Sequence, residues 1–287
     1  MTVYYGLIVC LAAVAVAGCG RQCLQEKQKS KKYAYTRIAQ AGRSSFTWPA
    51  GKRAAVSLTF DDARPSEIDN GLEILDRYGV KGTFYVLPAG VEKRLAGWKR
   101  AVAVGHEIGN HSLTHPCSGN YLWVRNPLED QTLETIEAEL EQANVVIEQL
   151  LGVRPTTFGY PCGQAFVGRG TEIKSYVPVV ARKFAVGRNS GDTCFNDPLY
   201  CDLAQVYCMA LDYLDIGQAI DLLQRASENG QWLILVGHEV AESGSQTIRT
   251  ATLDAVCRYA ADPANGLWID RVDVIGGYIA RQRKLAR

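Results

Sequence analysis

The sequence is poor in histidine, with four in 287 residues, and it has no excess of either charge: 31 basic against 30 acidic side chains leave a formal +1. Without a basic excess there is no footprint for a phosphate backbone, which argues against nucleic acid as a partner. No collagen-like or coiled-coil composition is present, and there is no internal repeat. Cys-x-x-Cys pairs are missing, which removes zinc-ribbon and thioredoxin-like readings. No Pro/Gly-rich linker follows residue 48, so one domain is the economical count there. What is present is apolar mass, 47% of residues, enough for a buried core.

Residues 1–18 contain no charged side chain, and the apolar run Leu7–Ala17 is too short to span a bilayer comfortably. It reads as an export signal, although its first six residues lack the usual Lys or Arg. The run ends in Val16-Ala17-Gly18-Cys19, which resembles the lipobox of bacterial lipoproteins. That resemblance makes 1–18 a lipoprotein-type signal peptide and Cys19 a lipidated first mature residue, followed by a tether, 19–47. Residues 20–32 carry five basic side chains against Glu26, net +4, leaving −3 for the rest of the chain. Such a stretch reads either as a tether near anionic headgroups or as an ordinary soluble linker. The expected location is the bacterial cell envelope, lipid-anchored at Cys19, or else periplasmic or extracellular; no protein partner is evident. In an oxidising compartment Cys117, Cys162, Cys194, Cys201, Cys208 and Cys257 could form disulfides, with Cys194 and Cys201 near enough to close a small loop. Sequence does not give the connectivity, and buried thiols are the alternative.

The rest alternates apolar β-branched runs with helical periodicity. Strands are expected at Ala54–Phe60, Lys81–Val86, Glu107–Gly109, Thr157–Tyr160, Lys183–Val186, Val206–Leu211 and Trp232–Gly237. Helices are expected at Ile68–Tyr78, Val91–Val104, Leu128–Leu151, Tyr176–Arg182, Ile216–Ser227 and Thr250–Ala261. Repeated βα units predict a parallel sheet, open or closed into a barrel. In such folds ligands gather where strands end at their carboxyl termini.

Three polar clusters follow apolar runs: Thr59-Phe60-Asp61-Asp62, Asn110-His111-Ser112-Leu113-Thr114-His115-Pro116, and Leu235-Val236-Gly237-His238. They hold three of the four histidines; His106 opens the strand leading into the second. His111 and His115 are spaced i, i+4, which on a helical turn puts both imidazoles on one face. A carboxylate from Asp61 or Asp62 would complete a His₂-carboxylate set with an open position for water. Two adjacent carboxylates repel unless a cation lies between them or one serves as a base; a helix N-cap pair is their plainer use.

These blocks, with Gly105-His106-Glu107-Ile108-Gly109 before the second, resemble the polysaccharide deacetylase family, the chitooligosaccharide deacetylase homology domain of carbohydrate esterase family 4. The resemblance covers about Trp48 to Arg287 and implies a catalytic domain, 48–287, with a distorted, incomplete (β/α) barrel of parallel strands. It further implies Asp62, His111 and His115 as ligands of a divalent metal, usually Zn²⁺ with Co²⁺ an alternative, Asp61 as general base and His238 as general acid. Phe158-Gly159-Tyr160-Pro161-Cys162-Gly163 is similar to the family's third motif, and implies Tyr160, Pro161 and Cys162 at the oxyanion and substrate, with the Cys162 backbone N–H as oxyanion donor. Gly159 stands where an arginine that orients the base is usual; Arg64, Arg169 and Arg188 are candidates to replace it. Asp212-Tyr213-Leu214-Asp215-Ile216 resembles the fourth motif, which adds Asp212 to the base-orienting candidates, with Ile216 in place of tryptophan.

The implied activity is metal-dependent removal of acetyl groups, most simply N-acetyl, from a cell-wall or environmental glycan. An O-acetyl esterase on xylan, or a glycan-binding relative that lost catalysis with the missing arginine, are the alternatives. An iron oxygenase built on the same triad would leave His238 without a role. Trp98, Tyr121, Trp123 and Tyr160 could stack on sugar rings or simply pack. No separate carbohydrate-binding module is visible.

Overall fold

A curved sheet of parallel strands organises the computed structural model, which describes residues 46–190 and 194–285, all within the unit Ser45–Arg287. The expected signal peptide, Cys19 and the basic tether as far as residue 45 lie outside the described residues. No helix among the described residues is long and apolar enough to cross a membrane. In chain order the strands are β1 (Ala54–Asp61), β2 (Thr83–Val86), β3 (Glu107–Asn110), β4 (Thr157–Gly159), β5 (Phe166–Val167), β6 (Lys174–Ser175), β7 (Val186–Arg188), β8 (Met209–Ala210), β9 (Trp232–Gly237), β10 (Glu239–Ala241), β11 (Thr247–Arg249) and β12 (Leu267–Ile269). The main sheet runs β7-β4-β3-β2-β1-β9-β8, with β12 paired to the start of β1. β5 and β6 form one small ribbon and β10 and β11 another.

Two edges of the sheet approach each other through residues 203–210. Gly187 donates to Leu203 O, Val206 to Gly187 O and Asn189 to Val206 O, each at 2.8 Å, before Met209 and Ala210 pair with β9. The result is the expected distorted, incomplete (β/α) barrel. Period-two alternation assigns the two faces of the sheet. Val56, Leu58, Phe60, Phe84, Val86, Ile108, Leu233 and Leu235 enter the core under the helices. Ala55, Ser57, Thr59 and Asp61 therefore point the other way, toward the barrel interior, where Ala55 meets Val186, Trp232, Ile234 and Val236.

Boundaries differ from the expected ones for local reasons. The helix expected from Leu128 begins at Leu133, after a short 3₁₀ turn Leu128–Asp130. Thr132 accepts from Thr135 N and Thr135 Oγ1 accepts from Thr132 N, a reciprocal cap that fixes the start; Gly152 at φ 73 ends it. The helix expected over 68–78 opens with a π turn, Glu67–Gly71, and that over 91–104 is broken into Pro88–Val91, Glu92–Arg94 and Leu95–Ala103. Lys183 completes the helix Val177–Lys183, with Phe184 N donating to Val180 O, so the strand expected at 183–186 starts at Val186 instead. The sequence expectations lacked the ribbon strands β5, β6, β10 and β11 as well as β12 and the final helix Val272–Leu285. That helix is capped from inside the barrel: Val272 N donates to Thr83 Oγ1 (2.9 Å) and Asp273 N to Glu107 Oε2 (3.1 Å).

Candidate active site

The carboxyl ends of β1, β3, β4 and β9 surround a cavity of about 580 Å³. Asp61, Asp62, Arg64, His111, His115, Trp123, Cys162, Ser190 and His238 are among its lining residues. β1 delivers Asp61 inward, and Asp62 follows at φ 82, its N–H still bonded to Tyr85 O. That left-handed step keeps the second carboxylate at the cavity with the first, Asp61 Oδ2 at 3.9 Å and Asp62 Oδ1 at 3.6 Å from His111 Nε2, so the pair is a strand end and not a helix cap.

His111 and His115 meet through a loop. Residues 111–118 form no helix; Ser112 (φ 69) and His115 (φ 56) take left-handed conformations, which corrects the expected helical turn. The loop is braced from both sides. Asn110 Oδ1 accepts from Ser112 N and Ser112 Oγ from His115 N. Glu139, on the helix Leu133–Leu151, accepts from Thr114 N and Oγ1, while Asn110 Nδ2 donates to Leu140 O and Asn144 Oδ1. The rings stand edge to face, 4.9 Å between centroids.

Asp62 Oδ1 lies 3.6 Å from His111 Nε2 and 3.4 Å from His115 Nε2. One ligand atom from each of the three residues lies within 4.8 Å of the others. His111 Nδ1 is 2.8 Å from Gly159 O, the outer partner that fixes a ligating imidazole's tautomer. Burial, then the charge of His111, pulls the His115 pKa down to about 4, so at neutral pH the ring is in its ligating, uncharged form. For Asp62, burial opposes ionisation, but the charges of His111 and His115 and the Arg64 hydrogen bond outweigh it and hold the carboxyl below its usual value. The donor set, two imidazoles and one carboxylate beside an open cavity, suits a divalent cation with a free position.

The arginines divide the carboxylates between them. Arg188, the last residue of β7 and wholly buried, places Nη2 2.5 and 2.7 Å from the two oxygens of Asp61. Burial lowers the pKa of its guanidinium, but the Asp61 charge outweighs this and raises it. Arg64 instead holds Asp62 Oδ2 through Nε (3.1 Å) and Nη2 (2.8 Å), and is itself held by Glu239 and Gln246. Arg169 pairs with Asp130 on the surface, away from the cavity. Asp212 serves His238: its Oδ2 lies 2.6 Å from Nδ1, and its Oδ1 accepts from His238 N. Burial lowers the His238 pKa, but the Asp212 bond and the charges of Asp61, Asp212 and Asp62 raise it above its ordinary 6.5.

Glycines make the Arg188 placement possible. A Cβ on Gly159 would lie 2.7 Å from Arg188 Nη2 and 2.8 Å from Tyr85 Cγ; one on Gly109 would lie 2.4 Å from the Tyr85 ring. Tyr85 thus lies against two side-chain-free strand positions, and the guanidinium sits over its ring at 4.8 Å. Sequence reasoning missed Tyr85 and the close approach at Gly109; isolated glycines inside strand patterns were the available signal.

The aromatic candidates separate by exposure. Trp98 and Tyr160 are buried, and Tyr160 OH donates to Ala204 O, so neither offers a face to a ligand. Pro161 is also buried, at the start of the turn Pro161–Gly163. Tyr121 and Trp123 are exposed and stacked at 5.5 Å, and Trp123 lies 5.6 Å from the His115 ring. Cys162, at φ 53, forms a disulfide with Cys117. The Cys201 thiol accepts from Arg283, so no loop is closed between Cys194 and Cys201.

Residues 49–174 match the polysaccharide deacetylase family model. A stretch of 109 residues is 31% identical to the peptidoglycan-N-acetylglucosamine deacetylase PgdA of Listeria monocytogenes, covering 38% of this chain and 21% of that protein. Another of 63 residues is 41% identical to a chitooligosaccharide deacetylase of Sinorhizobium fredii, covering 22% and 29%. The matched stretch is less than a third of either curated relative's length. Among solved structures, a polysaccharide deacetylase candidate from Mycobacterium smegmatis superimposes with TM-score 0.62 at 17% identity, over 84% of this chain and 95% of that one, a likeness of fold.

Proposed function

From the premise that residues 49–174 are a polysaccharide deacetylase region, we propose that the chain is a divalent-metal hydrolase that removes acetyl groups, chiefly N-acetyl, from a cell-wall glycan. The observation that carries the reading is the Asp62–His111–His115 group lying beside an Asp61 whose two oxygens face one buried guanidinium. A bound cation, most simply zinc, would be held by those three residues and would supply Lewis acidity to the acetyl carbonyl and to a water.

The protein's own groups do the rest. Asp61, fixed by Arg188, takes the proton of the attacking water. The backbone N–H of Cys162 donates to the oxygen on which negative charge develops. His238, oriented through Nδ1 by Asp212, presents its other nitrogen to the cavity and protonates the departing amine. Trp123 offers an exposed ring for a sugar face at the cavity rim. Arg188 brings to Asp61 the cation that Gly159 lacks, which supports an active enzyme over a catalytically silent relative. The matched deacetylases act on peptidoglycan and chitooligosaccharide by name, which supports an N-acetylated glycan.

Stripping the full chain with a chelator, restoring zinc or cobalt, and measuring acetate from chitooligosaccharides, peptidoglycan fragments and acetylxylan tests this. Release from N-acetylated glycans only after metal return is expected. Release confined to acetylxylan would make it an ester hydrolase, and no release with any metal would end the enzymatic reading. We place the activity in the cell envelope, as a domain 48–287 tethered at Cys19; Cys19→Ser then releases the protein from membrane fractions.

A further inference from the structure

Two loops of the cavity are joined by one covalent bond. The loop after β3 carries His111 and His115 to Cys117, and the turn after β4 carries Cys162; the disulfide links them across 45 residues with Cα atoms 6.0 Å apart. Both sides hold left-handed non-glycine residues, Ser112, His115 and Cys162, a conformation kept only where neighbours impose it.

His115 belongs to two donor groups. Its Nε2 faces Asp62, while its Nδ1 lies 3.6 Å from Cys117 Sγ. One ligand atom each from His115, Cys117 and Cys162 lies within 4.8 Å of the others, as in the Asp62–His111–His115 group. Placing a dication on each nitrogen of one neutral imidazole would require loss of its N–H proton, so the ring serves one group at a time.

We propose that the Cys117–Cys162 disulfide is a redox latch: intact, it leaves His115 to Asp62 and His111; opened, it creates a second, thiolate-rich metal site that takes His115 for a soft cation. A dithiol reductant breaks the S–S bond by exchange, delivering two electrons and two protons to the sulfurs and becoming a disulfide itself. The two thiols then lose their protons to solvent as they ligate, giving a Cys₂His set matched to zinc or cadmium. Loss of hydrolysis on reduction rests on the function proposed above; the thiolate site does not.

The test uses the full chain, oxidised or reduced with a dithiol and desalted anaerobically, titrated with cadmium. Reduced wild type should develop a thiolate-to-cadmium charge-transfer band larger by one equivalent than that of reduced C117S/C162S, whose other cysteines supply the background. If that variant fails to fold, cadmium NMR of oxidised against reduced wild type gives the same answer, a resonance from a two-sulfur site appearing only on reduction. Acetate release should fall at least tenfold in the reduced, cadmium-loaded protein and return after chelation, reoxidation and restoration of zinc. Equal bands in wild type and variant, or no new cadmium resonance, overturn the latch. The new site without acetate release in any state would retain the thiolate site and refute the deacetylase reading.

Discussion

Two buried carboxylates point into the same barrel and are satisfied in opposite ways. Asp61 ends β1 and meets Arg188 with both oxygens. Glu107 opens β3 and accepts from Thr83 Oγ1 (2.6 Å), Thr157 Oγ1 (2.5 Å) and Asp273 N, with no cation among the described residues. Burial first, then the charge of Asp273, pushes the Glu107 carboxyl up to about 7. The amino end of the sheet therefore uses its buried acid to cap the last helix, whereas the carboxyl end brings a cation from another strand to an acid that faces the cavity. Barrels of this kind divide stability and chemistry between their two ends in the same way.

The largest break in this contrast comes from Arg188→Ala, which leaves Asp61 a buried charge without its partner. Stability should fall by about 3–5 kcal/mol in urea unfolding, and R188A/D61N should recover part of it. Gly159→Ala comes next: the new methyl presses on Arg188, Tyr85 and His111, and kcat should drop about tenfold to a hundredfold with KM little changed. Glu107→Gln should leave kcat nearly intact but alter how stability responds to pH. Since the folded state holds the Glu107 proton more tightly than the unfolded state does, its contribution is full below the ordinary 4.5 and is lost as pH rises through about 7. At about 1.4 kcal/mol per pH unit the change is at most about 3.5 kcal/mol, read as the wild-type minus E107Q difference in unfolding free energy between pH 3.5 and 8, about one unit beyond each value. The smallest effect is expected from Asp212→Asn, which removes a cause of the raised His238 pKa. Activity that needs protonated His238 is lost as pH rises through that pKa, so the alkaline limb of kcat/KM should move to lower pH in the variant. An unmoved limb would detach His238 from the proton transfer.

Much of this was legible in the sequence because the signals are local. Ala54–Phe60 and Trp232–Gly237 are short apolar runs with polar ends, and both fold as strands whose last residues lead into the cavity. The aspartate pair, both loop histidines and His238 follow such runs directly. What escaped is non-local or conformational. Arg188 reaches Asp61 across 127 residues, and it can do so because Gly159 vacates the space between. The meeting of His111 and His115 depends on two left-handed residues, so i, i+4 spacing suggested the right pair with the wrong backbone. Arg64 stood beside Arg188 as a candidate partner for the base, yet its reach ends on Asp62. The final helix does carry Val272, Ile275, Gly276 and Ile279 at 3-4 spacing, but its glycine pair weakened the pattern.

The proposed hydrolysis needs Asp61 as the proton acceptor, held in place by Arg188, and the most direct measurement is kcat for acetate release by Asp61→Asn at matched metal occupancy. A loss of about 10²–10⁴-fold with unchanged metal stoichiometry is the predicted result. Wild-type turnover by the metal-loaded Asp61→Asn protein would contradict it.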